Sequence, residues 1–456
     1  MEKATHLILI LAAIVLGHLP TIMGNDIKMA VVILEVVFIY QLLFWTVYFK
    51  QRHKRIYNLH FLAVLTFGFF LGPRVVLDLT GQADIAQTNF FTSHKSSLET
   101  IRIALTNINL ATFFFFLPSA FTSTTFRHKT ITNKLSIKTI KKLQKFVLWI
   151  SPLILFVIYL KLKFLFEKGY LAIFLGDEKI IFSGFFELVT NLYYLIFIFQ
   201  LLHLEQLNKK IFWFHFIILL VVLASDGRRG PAMVLFFITI YFLQGHYIKN
   251  INLRSLLTIG SFIILILIFI GNYRFKNRGI DFSFISFFHA QGVSIQSIFY
   301  SIEYNSALNY NLIDLFGGTF RQLNVLLNKI IFYNQDLGLD SLVGNNKIYS
   351  AYLSSKVNNE MYYSGFGIGG SFIGELYTVG KETAQIIGST IMGFIYAKLI
   401  KLQASNVSIF KKSIALIFIG SILYIPRDNM LDFLAENIYS ILIVGLIGIL
   451  IRLKIR

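Results

Sequence analysis

Two polar segments bound the one long interval of this chain that is not continuously apolar: NYRFKNRG (272–279) opens it and GFGIGGSFIGELYTVGK (365–381) closes it. On either side lie apolar runs of about 20 residues, which is long enough to cross a bilayer as a helix. The runs are continuous and do not alternate between apolar and polar residues, which favours helices over the strands of a barrel. The interval therefore predicts a polar loop held between membrane spans.

The composition requires a membrane environment. Of 456 residues, 56% are hydrophobic and only 14% are charged, whereas soluble domains carry roughly 25% charged residues. We therefore predict an all-α polytopic membrane protein of about 12 transmembrane helices, with one large external (periplasmic) loop containing short helices. The absence of cysteine excludes disulfides and thiolate metal sites.

Basic residues set the predicted topology. The net charge is +19, and lysine and arginine cluster in KQRHKR (50–55) and in the segment 127–145. Two predicted spans separate these clusters, so both lie on one side, which the positive-inside rule assigns to the cytoplasm. The charge thus indicates membrane topology and not nucleic-acid binding. Both termini are predicted to be cytoplasmic.

Twelve spans satisfy every basic cluster. They are predicted at about residues 5–23, 28–49, 57–79, 101–121, 146–165, 184–206, 211–225, 231–248, 255–271, 383–400, 413–425 and 433–451. This gives one integrated membrane domain in three parts: spans one to nine in residues 1–271, the large loop in residues 272–382, and spans ten to twelve in residues 383–456.

Several arginines fall on the side opposite to the one that the positive-inside rule favours. They are Arg228, Arg229, Arg274, Arg278, Arg321 and Arg427, with Arg74 near the same boundary. Each one taken alone is explained by a side chain that extends to lipid headgroups. Three separate turns, however, place arginine just outside the membrane. An anionic headgroup at that depth would account for the set, because guanidinium forks match phosphate oxygens.

Two residues are candidates for a general base. Glu375 lies among apolar residues and glycines in GGSFIGELY (369–377), where an acid is costly unless it is paired or functional. A salt bridge to an arginine is the alternative for Glu375. His289, in FFHAQG (287–292), is the second candidate, with a hydrogen-bonded interfacial histidine as the alternative.

Tyrosines in the large loop are candidates for sugar contacts. Tyr349, Tyr352 and Tyr363 would line a groove, and ordinary packing or interfacial anchoring is the alternative. There is no Walker lysine after a glycine loop, no HExxH, and no D-x-D pattern at an external boundary. We therefore expect neither a metal nor a cofactor. If the chain catalyses a group transfer, its own basic side chains would have to stabilise the leaving group.

Three segments carry a resemblance to a known family. They are SDGRRGPAMVLFFITIYF (225–242), GGSFIGELYTVGK (369–381) ahead of a glycine-containing span, and IPRDNMLDFLAENIY (425–439). At these residues, and in its size and single late loop, the chain resembles the bacterial Wzy-type O-antigen polymerases, or oligosaccharide repeat unit polymerases. The resemblance implies the architecture of integral-membrane glycosyltransferases that use lipid-linked sugars.

The resemblance also implies a reaction and its partners. A growing glycan would pass from undecaprenyl pyrophosphate to the non-reducing end of a new lipid-linked repeat unit, at the periplasmic side of the bacterial inner membrane. Glu375 would be the first candidate base, with Asp428 and His289 behind it. Arg228, Arg229, Arg274 and Arg427 would hold the pyrophosphates, supported by Arg278 and Arg321. Membrane lipids are expected partners, and nucleic acid is not an expected partner. A chain-length regulator and a flippase would fit as further partners.

Two other functions compete with polymerisation. An O-antigen ligase has a similar architecture but passes the glycan to the lipid A core. A flippase or transporter of lipid-linked oligosaccharides usually shows two similar halves and charged residues in the middle of its spans. Here the halves differ and the charges gather at one face, which favours an enzyme.

Overall fold

The fold is known from a computed structural model. It describes residues 26–54, 57–86, 94–122, 137–168, 183–204, 207–225, 229–244, 284–330, 339–344, 347–405 and 407–445, with the single positions 11, 258 and 261. Predictions that fall on other residues, including the predicted first span at 5–23 and the ninth at 255–271, lie outside this part of the chain.

Every regular element within those ranges is a helix. In chain order, those with defined bounds are α1 Ile27–His53, α2 Leu59–Leu79, α3 Leu98–Phe121, α4 Ile137–Lys168, α5 Ser183–Leu201, α6 Lys209–Ser225, α7 Arg229–Leu243, α8 Phe284–Gln291, α9 Val293–Glu303, α10 Gly317–Ile330, α11 Asp340–Val343, α12 Tyr349–Val357, α13 Asn359–Tyr363, α14 Phe372–Ala404, α15 Ile409–Ile422 and α16 Asp432–Ala435. Residues 438–445, in the predicted twelfth span, are helical as well. Short 3-10 turns occupy Asn305–Ala307, Asp314–Phe316 and Ile425–Arg427.

Side-chain caps fix where the first long helices begin. The Asp26 carboxylate accepts a hydrogen bond from the Met29 amide at 3.1 Å, and the Asn58 side chain accepts one from Phe61 at 2.9 Å. Ser97 caps α3 in the same way, through the Thr100 amide at 3.1 Å. Such caps satisfy amides that have no partner within the helix. The apolar runs thus become helices with defined ends at the polar turns.

Six of the described helices are long and apolar enough to cross a membrane. They are Ile27–His53, Leu59–Leu79, Leu98–Phe121, Lys138–Lys163, Phe372–Ala404 and Ile409–Arg427. Two shorter apolar helices, Val189–Leu201 and Ala232–Leu243, fall within the predicted sixth and eighth spans. The expectation of an all-α, many-spanning membrane protein is therefore confirmed. The count of twelve and the side on which the large loop lies stay predictions.

Helix α14 is longer than a bilayer requires and is bent near its start. Its 33 residues would extend about 50 Å at 1.5 Å per residue, but the backbone leaves helical geometry at Gly380 and at Lys381, where φ is 52°. The 23 residues after this kink, 382–404, extend about 34 Å, close to the thickness of the hydrocarbon core. The kink therefore separates residues 372–379, which we call the boundary segment, from a part whose length matches a membrane span.

Helix α14 packs most extensively against α3. A Cβ built on Gly393 would overlap the carbonyl oxygen of Phe115 and lie 2.8 Å from its carbonyl carbon. Glycine at this position therefore lets the two backbones approach closely, as small residues commonly do between membrane helices. The Tyr396 hydroxyl, one turn further along α14, donates to the Leu59 carbonyl at 2.6 Å and ties α14 to the start of α2.

The predicted large loop contains short helices where it is described. Helices α8 to α13 lie within residues 284–363, and α9 packs against α14, α3 and α2. The first turns of α10 pack on α16, which follows α15. The described residues of this predicted loop thus pack on the long helices.

Candidate functional site

The site is organised around Glu375, in the boundary segment of α14. This residue is only 1% exposed. Its Oε1 accepts a hydrogen bond from the Tyr310 hydroxyl at 2.5 Å, and its Oε2 accepts one from the Met430 amide at 2.5 Å. Among the residues in the described ranges, no lysine or arginine forms an ion pair with it. Within those ranges its two oxygens are paired with a hydroxyl and a backbone amide, and a salt bridge to Arg228, Arg274 or Arg278, which lie outside them, stays a prediction.

The Tyr310 hydroxyl carries one proton but lies close to two hydrogen-bond acceptors. It lies 2.5 Å from Glu375 Oε1 and also 3.0 Å from the carbonyl oxygen of Asp314. A protonated Glu375 that donates to the tyrosine oxygen, while the tyrosine donates to Asp314, satisfies all three groups at once. Burial, together with the neighbouring Glu375, raises the pKa of the Tyr310 hydroxyl well above its usual value. Tyr310 therefore keeps its proton at any physiological pH.

Two of the predicted sugar-contact tyrosines pack beneath this pair. The Tyr349 ring meets the Tyr310 ring edge-on with centroids 5.0 Å apart, and its buried hydroxyl donates to Ser301 Oγ at 2.5 Å. The Tyr352 ring is also buried, with Lys347 Nζ 5.0 Å from its centroid. Tyr363 alone of the three predicted residues is exposed, and its hydroxyl donates to Asp340 Oδ1 at 2.6 Å.

The turn after α15 closes the site from the other side. Arg427 and Asp428 are both half-buried there, with the Arg427 guanidinium 5.8 Å from the centre of the Phe70 ring. The Asp428 carboxylate accepts the Asn429 amide at 3.0 Å. A Cβ on Gly370 would lie 2.7 Å from Asn429 Oδ1, so the glycine-rich segment and this turn are in close contact. The structure therefore joins two of the three sequence segments that carry the resemblance.

The predicted arginines are only partly described. Arg427 lies in the turn just named, and Arg321 is half-buried on α10, where burial lowers the pKa of its guanidinium. The backbone of Arg229 begins α7, but its side chain lies outside the description, as do all atoms of Arg228, Arg274 and Arg278. Convergence of the whole set on one anion stays a prediction.

His289 lies in a separate group at the end of α2. Its carbonyl oxygen accepts from Arg74 Nε at 3.2 Å, and its Nδ1 lies 3.4 Å from Arg74 Nη2. Burial, with a smaller contribution from the Arg74 charge, lowers the pKa of the His289 imidazole to about 4, although Asp84 opposes the shift. The histidine is therefore neutral at pH 7.

Sequence reasoning missed the partners of Glu375. Tyr310 lies 65 residues before it and Met430 lies 55 residues after it. One tyrosine among 22 gives no signal of its own, and a backbone amide is invisible in a sequence. The only available hint was the acid itself, since a buried carboxyl requires hydrogen-bond donors.

Comparison with known proteins adds one finding. A family model described as O-antigen polysaccharide polymerase Wzy matches residues 5–455, nearly the whole chain. No curated protein and no solved structure matches it. The resemblance drawn from the three sequence segments is confirmed.

Proposed function

We propose a reaction for this chain from the premise that it belongs to the O-antigen polysaccharide polymerase family Wzy. The chain polymerises oligosaccharide repeat units carried on undecaprenyl pyrophosphate, at the periplasmic face of the inner membrane. An acceptor hydroxyl of the new unit attacks the anomeric carbon of the growing glycan. The bond from that carbon to the pyrophosphate oxygen breaks, the electron pair leaves with the pyrophosphate, and the hydroxyl proton passes to a base.

Arg427 supports this proposal as a cation for the leaving group. It is half-buried in the 3-10 turn Ile425–Arg427, which ends the candidate span Ile409–Arg427. A lipid pyrophosphate arrives at that depth because its tail remains in the bilayer. Guanidinium forks bind phosphate oxygens in pairs, and such charge-assisted bonds are stronger in a partly dry site. Arg321, and the external arginines outside the described ranges, are proposed as further contacts.

Accessibility favours Asp428 over Glu375 as the base. A base must lie within hydrogen-bonding distance of the acceptor hydroxyl, and Glu375 is 1% exposed with both oxygens occupied. Asp428 is half-buried and adjacent to Arg427.

The exposed Tyr363 is proposed to contact sugar. His289 is proposed to help hold Arg74.

Glu375 then acts as a positioning residue. Its bond to the Met430 amide fixes the turn that carries Asp428 two residues earlier, and its bond to Tyr310 fixes that turn to the loop. This link between distant segments is the observation in the structure that best supports a site here. A misplacement of about 1 Å at such a turn is enough to cost about 100-fold in rate.

Two isosteric substitutions separate the roles. Glutamine at position 375 reproduces a protonated glutamate: its carbonyl accepts from Met430 and its amide donates to Tyr310. We therefore expect Glu375→Gln to retain polymer in cells that have lost the native gene. Asp428→Asn, which removes the base and keeps its shape, should lower polymer yield by about 100-fold or more. The readout is the ladder of surface polysaccharide on a gel.

The exposed Glu360 provides the matched control, since Glu360→Gln should leave the ladder unchanged. Loss of polymer with Glu375→Gln and retention with Asp428→Asn would reverse the two roles. Polymerase loss leaves single capped repeat units, whereas ligase loss leaves none. Complete absence of capped units in the deletion strain would therefore exclude polymerisation.

A further inference from the structure

An exposed apolar stripe crosses the 3-10 turn Asp314–Phe316 and the start of α10. Leu312 is 66% exposed, Ile313 72%, Phe316 42%, Phe320 45% and Leu323 40%. From position 313 onward these residues are spaced by three or four, so they share one face of the helical path. The Phe316 and Phe320 rings lie 6.1 Å apart. We call these five residues the apolar stripe.

The opposite face of the same segment is covered by the protein itself. Leu315 is buried, and a Cβ on Gly318 would lie 2.8 Å from Asp432 Oδ1 and 3.6 Å from Ala435 Cβ of α16. Gly317 is in direct contact with the Lys347 backbone. The segment is therefore firmly docked by its glycine face, and the apolar stripe is the side that faces away.

Two contacts place this segment at the level of the membrane boundary. Asp432, which touches Gly318, comes five residues after Arg427, where a candidate span ends. Independently, the Tyr310 hydroxyl reaches Glu375 in the boundary segment of α14, just before the kink that precedes the crossing part. Tyr310 is two residues before the first member of the apolar stripe. Both attachments hold the stripe beside the ends of spans and not far out in water.

We propose that the apolar stripe inserts into the acyl region of the adjacent lipid leaflet, so that the start of α10 is an interfacial membrane anchor. Amphipathic helices at a membrane surface bury their apolar face in this way. A contiguous apolar patch on a loop surrounded by water would be unfavourable. Beside the span ends, acyl chains are the apolar material that is present at the right depth. The proposal requires only that the chain spans a membrane, so it does not depend on the reaction.

Insertion has a consequence for the site. The turn that bears the stripe also supplies Asp314, whose carbonyl lies 3.0 Å from the Tyr310 hydroxyl. The anchor is therefore connected to Glu375 through one side chain, Tyr310. The lipid surface thus fixes the height of the Glu375 group relative to the bilayer, which is the height at which a lipid-linked pyrophosphate presents itself.

The absence of cysteine in the chain makes a clean test available. Single substitutions Ile313→Cys and Phe320→Cys give unique sites for a nitroxide label in protein reconstituted into nanodiscs of phosphatidylethanolamine and phosphatidylglycerol. Collisions of the label are measured with oxygen, which concentrates in hydrocarbon, and with a polar nickel chelate, which stays in water. The matched controls are Ile391→Cys, exposed on the crossing part of α14, and Glu360→Cys, exposed on α13.

Insertion predicts that the oxygen-to-nickel collision ratio at positions 313 and 320 resembles that at Ile391. It should exceed the ratio at Glu360 by about tenfold, because exclusion of a polar chelate by only about 1.4 kcal/mol has that effect. A ratio equal to that at Glu360 would show a water-exposed stripe and overturn the proposal. Labels reached by neither reagent would show a covering protein, such as a second copy, and would overturn it as well.

Discussion

Tyr310→Phe removes one hydroxyl and keeps the ring. The ring contacts with Tyr349, at 5.0 Å, and with Tyr352, at 6.5 Å between centroids, do not involve the hydroxyl and remain. What is lost is the partner of Glu375 Oε1 at 2.5 Å and of the Asp314 carbonyl at 3.0 Å. The substitution therefore isolates the polar connection between the loop and the boundary segment of α14.

The size of the effect follows from where each lost partner lies. Glu375 is 1% exposed, so water does not replace the hydroxyl, and an unsatisfied buried polar group costs about 1–3 kcal/mol. The Asp314 carbonyl lies on a half-buried residue of a surface turn and regains hydration at little cost. We expect a loss of about 2 kcal/mol in the free energy of unfolding.

Tyr363→Phe is the matched control. Its hydroxyl also donates to a carboxylate, Asp340 Oδ1, at 2.6 Å, but the residue is 43% exposed. Because water can replace the lost partner at an exposed site, we expect Tyr363→Phe to change the free energy of unfolding much less than Tyr310→Phe. Thermal unfolding of both variants, followed by intrinsic fluorescence in the same nanodiscs, measures the difference. Equal losses in the two variants would refute the view that burial makes the Tyr310–Glu375 contact important.

Two further predictions concern packing and pH. Gly393→Ala places a methyl group against the Phe115 carbonyl and should destabilise the protein by about 3 kcal/mol, while Gly72→Ala, with nothing within 4 Å, should be neutral or stabilising in the same unfolding assay. The pKa of the His289 imidazole is about 4 in the folded protein and near 6.5 in the unfolded chain. Between these two values the unfolded state binds more protons than the folded state, so protonation favours unfolding. The free energy of unfolding should therefore fall by about 1 kcal/mol from pH 7 to pH 5, allowing for solvent screening. His289→Gln should remove this contribution to the fall in melting temperature between the two pH values. An equal fall in the variant and in the native protein would contradict the prediction.

The sequence predicted the long helices well where they are described, because length and apolar content determine a span. The predicted tenth span, 383–400, agrees with the part of α14 beyond the kink. What the pattern missed is that the helix begins earlier, at Phe372. Gly374 argues against a helix by propensity, yet it is helical and packs close to Ser301, with a built Cβ 3.2 Å from the Ser301 Cβ. Tertiary contact thus overrides local preference.

The site was predictable in its residue types and not in its pairings. An acid in GGSFIGELY indicated a special environment, and Glu375 is indeed buried and hydrogen-bonded. Its partners come from segments that only the fold brings together, and no local pattern encodes them. The same limit applies to Arg74: its predicted place near the end of a span agrees with α2, but its contact with His289, 215 residues away, required the fold.

The polar group around Glu375 solves a problem that apolar contacts cannot solve in this setting. At a membrane boundary, an apolar loop face has no preference for protein over lipid, so apolar packing alone does not fix which segments meet. Buried hydrogen bonds do, since a wrong pairing leaves polar groups unsatisfied. Within the bilayer the chain uses the same device: Gln41 on α1 donates to Asn109 Oδ1 on α3 at 2.8 Å, and Asn109 donates to the Leu34 carbonyl at 3.0 Å. Glu375 is best understood as the counterpart of that pair for the segments outside the spans, which is why its isosteric amide should be tolerated.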